Sequence, residues 1–283
     1  MTSDPRPPFV HTVAIPDGRL AVHTAGSGLP LLFLHGFPLD HSMWSAQEPL
    51  AEHVRLIVPD QRGFGGSAGP GPESIAQLAD DAVALLDALH VAGPVVVCGL
   101  SMGGYVAQHV AARHPDRVAA LILVDTRLEA DTPEARAARV DLSGKVGRLG
   151  QAIVADAMIP RLLAPAAGEP ARARRAEIEA VLRRMIVAQP VATIQAALAA
   201  LGDRPDMTEA MRRCRVPTLL VVGADDAITP PSCLQTAEAI MPDARLLIVP
   251  RAGHMTPLEA PTVFNAAVVA FLQDRIGDRV HPA

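Results

Sequence analysis

Residues 95–104 read Val95-Val96-Val97-Cys98-Gly99-Leu100-Ser101-Met102-Gly103-Gly104. The first four are apolar and mostly β-branched, the composition of a buried central strand. A helical pattern follows through Val106, Ala107, Val110 and Ala111, and stops ahead of Pro115 because the residue before a proline avoids the helical region. Gly99 and Gly103 flank Ser101 at two residues on either side. A serine on so sharp a bend takes strained backbone angles, tolerated where its neighbours lack a Cβ. The bend lifts the Ser101 hydroxyl above the carboxyl edge of a sheet, with the Met102 N–H and the helix N-terminus turned toward any anion that develops there. That is a nucleophile's setting, although Gly-x-Ser-x-Gly also occurs as an ordinary strand-to-helix turn. The rest of the chain has to decide.

On both sides of this stretch, strand and helix alternate. Val10–Ile15 and Arg19–Thr24 read as an opening hairpin turned at Pro16, Asp17 and Gly18, after a Pro-rich leader to Pro8. Leu31–Leu34 and Val54–Val58 read as buried strands. The second runs into a glycine-rich loop, Asp60 to Ser67, suited to the neighbourhood of a site. Ser74 and Gln77 form a capping box ahead of a helix whose apolar face runs from Ile75 to Leu89. Val118–Val124, Val216–Val222 and Arg245–Val249 supply three more strands, and a four-residue rhythm from Val263 to Leu272 closes the chain as a helix. Such alternation requires parallel strands with right-handed crossovers and helices on both faces, an α/β fold.

From Arg127 to about Arg213 the alternation lapses into an Ala- and Arg-rich stretch that reads as several short helices, broken at Pro133, Gly144, Pro160, Pro165, Pro170, Pro190 and Pro205. This segment holds 14 Lys and Arg against 11 Asp and Glu, net +3; since the chain has 25 and 30, the remainder carries 11 and 19, net −8. Solvated faces of amphipathic helices account for a basic insertion, and a lid that attracts anions is the functional alternative.

At 283 residues the chain is long enough for one large domain with an insertion or for two small ones. With 49% hydrophobic, 19% charged and 3% aromatic residues, it packs on aliphatic side chains, and any pocket should be aliphatic. A net charge of −5 implies neither nucleic acid nor an anionic membrane as partner. The opening MTSDPRPPFV lacks the apolar core of a signal peptide and no apolar run spans a bilayer, so cytoplasmic residence is expected. Cys98, Cys214 and Cys233 suit neither a disulfide framework nor a zinc site and read as small buried hydrophobes.

Parallel strands deliver their following loops to one edge of the sheet, which collects Gly36 and Phe37, Ser101, Asp226 and His254. A serine needs a histidine to take its proton and a carboxylate to hold that histidine's tautomer. The chain order Ser, Asp, His behind a serine elbow is the α/β-hydrolase order. The stretches HGFPLDHSMW, DQRGFGGS, GLSMGG, GADDAITPP and AGHMTPLEAP resemble those of the α/β-hydrolase superfamily over essentially the whole chain, and particularly its bacterial carboxylesterases, 3-oxoadipate enol-lactonases and cofactor-free haloperoxidase-like perhydrolases. The resemblance implies a mostly parallel sheet of about eight strands, with residues 1–126 and 214–283 as the core and a helical cap, 127–213, inserted after the sixth strand.

The resemblance further implies Ser101 as nucleophile, His254 as general base and Asp226 as its orienting acid, with Asp225 adjacent as the competing choice, and the Phe37 and Met102 N–H groups as oxyanion hole. His35 is expected to brace its loop, and Asp60 and Arg62 to hold theirs by an ion pair or backbone capping. His41 lies near the expected mouth as a substrate contact or a solvated loop histidine, and Trp44 as pocket lining or core. The reading is an esterase of small apolar carboxylic esters needing no metal, nucleotide or prosthetic group. The alternatives are an enol-lactonase, whose dicarboxylate substrate would suit the basic insertion, a perhydrolase, suggested by Pro38 in the oxyanion loop, and a receptor that keeps the fold without turnover.

Overall fold

Strands β1 (His11–Ile15) and β2 (Gly18–Ala25) form an antiparallel hairpin, and β2 runs antiparallel to β4 below. Strands β3 (Pro30–Leu34), β4 (Arg55–Pro59), β5 (Val95–Leu100), β6 (Val118–Val124), β7 (Thr218–Gly223) and β8 (Ala244–Val249) pair in parallel. This computed structural model describes residues 11–67 and 69–277; Val10 and the leader to Pro8 lie outside them. The eight strands stand in the order β1-β2-β4-β3-β5-β6-β7-β8. The expected α/β architecture is present.

Helices α1 (Ile75–Ala88) and α2 (Met102–Arg113) follow β4 and β5 and pack on one another. Ser74 caps α1 by accepting the Gln77 N–H at 3.0 Å, as its sequence pattern requires. Between β6 and β7 come α3 (Pro133–Leu149), α4 (Ala152–Leu162), α5 (Ala171–Ala188), α6 (Val191–Gly202) and α7 (Thr208–Arg213). These are longer than expected: Gly144 sits inside α3 and Pro160 inside α4 without ending either. Packing overrides local propensity there, since α3 lies along α6 and α4 along α5. Pro133, Pro170 and Pro190 do stand at helix starts. The remaining helices are α8 (Pro231–Ile240), α9 (Thr256–Glu259) and α10 (Pro261–Ile276). No single helix among the described residues is long and apolar enough to cross a membrane.

Strand register assembles the site. β3 pairs with β5 so that Leu34 stands opposite Gly99, and the chain leaving β3 at His35–Phe37 emerges beside the Ser101 bend. β7 pairs with β8 through Gly223 and Val249, which brings the loops carrying Asp226 and His254 side by side. The strand order reverses at β3, so these loops open onto the crevice where ligands bind in open α/β sheets.

The bend itself depends on missing side chains. A Cβ on Gly99 would lie 2.0 Å from the Gly103 carbonyl oxygen, and one on Gly103 would lie 2.0 Å from that of Leu34. Backbone cannot retreat from such contacts without breaking the β5–α2 packing. Gly99→Ala is therefore expected to cost about 3 kcal/mol of stability, read as a drop in the urea midpoint at unchanged slope; a midpoint within error of the parent would mean the bend relaxes freely.

Candidate active site

Ser101 occupies the left-handed region, φ 52° and ψ −110°, between β5 and α2. Its backbone is pinned on both sides: its N–H donates to the Val124 carbonyl at 3.0 Å, and its carbonyl accepts from Thr126 Oγ1 at 3.0 Å. A strained non-glycine residue held this firmly belongs to a functional site more often than to a plain turn. The hydroxyl makes no hydrogen bond to another described residue. It faces a cavity of about 350 Å³ that it shares with Phe37, Met102 and His254. Ala135, Leu142, Met158 and Leu198 of α3, α4 and α6 form its apolar wall, aliphatic as the composition requires.

Across that cavity the His254 ring is held by Asp226. Nδ1 lies 2.8 Å from Asp226 Oδ2, and both residues are buried. The other carboxylate oxygen accepts the N–H groups of Ile228 at 2.8 Å and Thr229 at 2.9 Å, while Thr229 Oγ1 donates to Oδ2 at 2.7 Å. With every nearby donor directed at the carboxylate, Nδ1 carries the imidazole proton and Nε2 is left to accept. Asp225 is exposed, and it is its neighbour Asp226 that meets the His254 ring. Burial works against a charge on His254, but the hydrogen bond and charge of Asp226 outweigh it and raise its pKa above the ordinary 6.5. Burial likewise works against the Asp226 carboxylate, which the His254 hydrogen bond and charge hold below the usual range.

A second carboxylate, Asp125, lies buried behind the pair. It accepts the Gly223 N–H at 3.0 Å, the Thr256 N–H at 3.0 Å and Thr256 Oγ1 at 2.9 Å, so it ties the ends of β6 and β7 to the segment after His254. Burial pushes it up to about 7, against the nearby His254 and with the Asp226 charge adding to the rise. The inserted helices are tied in as well, since the His254 N–H donates to the Leu162 carbonyl at the end of α4.

The Phe37 N–H has no backbone or side-chain acceptor among the described residues, and Met102 opens α2, where first-turn N–H groups have no partner within the helix. Both residues line the cavity beside Ser101. His35 braces their loop: Nδ1 lies 2.9 Å from the Gly36 carbonyl and Nε2 accepts the Gln61 N–H at 3.0 Å. Burial lowers its pKa, and the neutral ring is the form that can donate at one nitrogen and accept at the other.

Two expected substrate contacts do not reach the cavity. His41 is 3% exposed, and both its N–H and Nδ1 meet Asp60 Oδ1, at 2.7 and 2.9 Å. Asp60 uses its other oxygen to accept the Gly66 N–H, so His41 belongs to the internal bracing of the glycine-rich loop. Trp44 is equally buried, its ring 4.5 Å from that of Phe33 and 6.2 Å from that of Phe264, and acts as a core anchor. Arg62 makes a two-bond fork with Asp81 at 2.6 and 2.7 Å, the ion-pair role expected of it. Cys98 is buried, and burial raises its thiol well above the ordinary value, so it is unreactive.

Residues that the sequence reading did not single out complete the wall. Arg127, Asp131, Arg139 and Arg161 line the cavity with Tyr105, whose ring carries the Arg204 guanidinium at 4.1 Å. Arg127 lies three residues beyond the end of β6, in the loop that this strand delivers to the sheet edge, so the strand-edge rule could have reached it. Arg161 arrives on α4, and nothing local marks it.

A serine raised on a left-handed bend between a central strand and its helix, over a sheet of this order, defines a hydrolase of the α/β class. A model described as the alpha/beta hydrolase family matches residues 31–267, and the chain belongs to that family. It is 32% identical over 265 residues to a pimeloyl-[acyl-carrier protein] methyl ester esterase of Chromobacterium violaceum, covering 90% of this chain and 98% of that one. With 3-oxoadipate enol-lactonase 2 of Acinetobacter baylyi it shares 30% over 273 residues, 94% of this chain and 97% of the relative. It spans 64% of the length of the dihydrolipoyllysine-residue acetyltransferase component of the acetoin cleaving system of Pseudomonas putida, 34% identical over 250 residues that make up 87% of this chain. Among solved structures, a thermophilic esterase from Thermogutta terrifontis, with malate bound, superposes with a TM-score of 0.87 at 38% identity, covering 93% of this chain and 98% of that one.

Proposed function

We propose that the protein is a carboxylic ester hydrolase that works through an acyl-enzyme on Ser101. The observation that carries this reading is the His254–Asp226 contact of 2.8 Å, buried, with His254 and Ser101 on the walls of one cavity. Ser101 Oγ attacks the ester carbonyl and passes its proton to His254 Nε2, whose other nitrogen is held protonated by Asp226. The Phe37 and Met102 N–H groups receive the oxyanion, a contribution of about 3 kcal/mol for each donor in such sites. His254 returns the proton to the departing alcohol, and water then repeats the cycle on the acyl-enzyme. Nucleophile and base are commonly further apart in an empty site than in the substrate complex, where they close to hydrogen-bond distance.

The likeness to an enol-lactonase favours ring-opening of lactones as a second reading, which the same machinery would perform with the leaving alcohol still tethered. Initial rates on p-nitrophenyl esters of increasing acyl length, beside a lactone panel, separate the two. Short esters are expected to turn over faster than long ones, because a cavity of about 350 Å³ has limited room for an acyl chain. Turnover of lactones alone would install the second reading, and turnover of neither would overturn both.

A further inference from the structure

The cavity over Ser101 has a charge imbalance that ester cleavage does not require. Three guanidinium groups line it, those of Arg127, Arg139 and Arg161, against one carboxylate, Asp131. Asp131 is already committed: its Oδ2 meets Arg139 and its Oδ1 meets Arg204 at 2.7 Å. Burial works against the Asp131 charge, yet the two arginines hold its carboxyl below the usual range. That leaves Arg127 and Arg161, neither of which pairs with a carboxylate among the described residues. Among the described residues each reaches only a backbone oxygen on the loop after Asp226: Arg127 Nη2 donates to the Ile228 carbonyl, and Arg161 Nη2 to the Ala227 carbonyl at 3.4 Å. A guanidinium has five N–H donors. One carbonyl satisfies a fraction of them and none of the charge.

Most other basic side chains of the inserted helices behave differently. Arg136, Lys145, Arg174 and Arg183 are exposed and each is paired with an acid, the solvated-face arrangement expected of a basic insertion. Arg127 and Arg161 differ in that neither is paired with an acid among the described residues and both line the catalytic cavity. They also approach from two different segments, the loop after β6 and helix α4, and converge on two consecutive carbonyls.

We propose that Arg127 and Arg161 form a carboxylate-binding subsite, and that the substrates are monoesters of short dicarboxylic acids, with the free carboxylate held by these two arginines while the ester carbonyl lies at Ser101. Planar guanidinium forks match a carboxylate two bonds at a time, which a neutral acyl chain cannot use. Apolar side chains that line the same cavity, such as Leu142, Met158 and Leu198, would accommodate the intervening methylenes. Because Arg161 is exposed and Arg127 half-buried, solvent screens part of the attraction, and the subsite confers preference rather than absolute selection.

This inference rests on the ester-hydrolase reading, and the test separates the two. The protein is assayed by methanol release on monomethyl glutarate and on methyl pentanoate, in the parent, Arg127→Gln, Arg161→Gln and the double variant; binding of monomethyl glutarate to Ser101→Ala, with and without the two arginine changes, is measured by calorimetry. Expected is a kcat/KM ratio of about tenfold in favour of the monoanion at low salt, carried by KM, reduced in each single variant and abolished in the double. Raising the salt should shrink the parent's ratio. Equal kcat/KM for the two esters, or a preference that survives in the double variant, would overturn the subsite while leaving ester hydrolysis intact. If neither ester turns over, the hydrolase reading fails, and calorimetry still decides the subsite: binding abolished by the two arginine changes upholds it, and no binding to Ser101→Ala overturns it.

Discussion

Ser101→Ala is expected to lower kcat/KM for a short p-nitrophenyl ester by about a millionfold, because a nucleophile and its base act as one unit and removing either forfeits the whole pathway. The substitution is structurally mild. Ser101 already carries a Cβ at φ 52°, and its hydroxyl makes no hydrogen bond to another described residue, so nothing buried is left unsatisfied. The Phe37 and Met102 N–H groups remain, and their residual acceleration over water sets the floor. The variant should therefore unfold at the parent's urea midpoint while losing both turnover and the acyl-enzyme burst. A loss below tenfold in a well-folded variant would remove Ser101 from the reaction.

Asp226→Asn comes second, with an expected loss of about 10⁴-fold in kcat. The cause is the orientation of the amide. The Ile228 and Thr229 N–H groups hold an acceptor at the Oδ1 position, so the new NH₂ group must take the Oδ2 position facing His254 Nδ1. It can only donate there, which turns Nδ1 into an acceptor and moves the ring proton to Nε2, the nitrogen that has to accept from Ser101. The pH profile supplies the second readout. Catalysis needs neutral His254, so activity falls as pH drops through its pKa, which Asp226 raises above the ordinary 6.5. Loss of the Asp226 charge removes part of that rise, and the acid limb of the residual activity should move to lower pH. An unmoved limb together with parental kcat would show that Asp226 does not orient the base.

How far the site could be read in advance depended on the range of the interactions involved. The Ser101 bend was legible because its causes lie within the stretch 95–104: an apolar run, two glycines and a helix start. The strand ends were legible because β-branched runs mark them, and parallel strands bring their loops to one edge whatever their separation. The sequence places His41 near the mouth because its partner, Asp60, lies 19 residues further on, after β4, and no local pattern marks that contact. Trp44 suits pocket or core equally by sequence, and its packing against Phe264, more than 200 residues away on α10, places it in the core. Gly144 and Pro160 read as helix breaks because local propensity says so, and neighbouring helices overrode it.

By itself the sequence determined that this is an α/β chain with a serine elbow on its central strand, and that a carboxylate and a histidine follow in the order such a site requires. Those features are local or periodic, and backbone sterics and hydrophobic burial act on them directly. Only the tertiary structure decided which of Asp225 and Asp226 meets His254, where Asp125 ties the sheet ends together, and that Arg127 and Arg161 come together at the cavity wall. These depend on register between strands and on how five inserted helices settle over the sheet edge, where packing between segments far apart in the chain sets every distance.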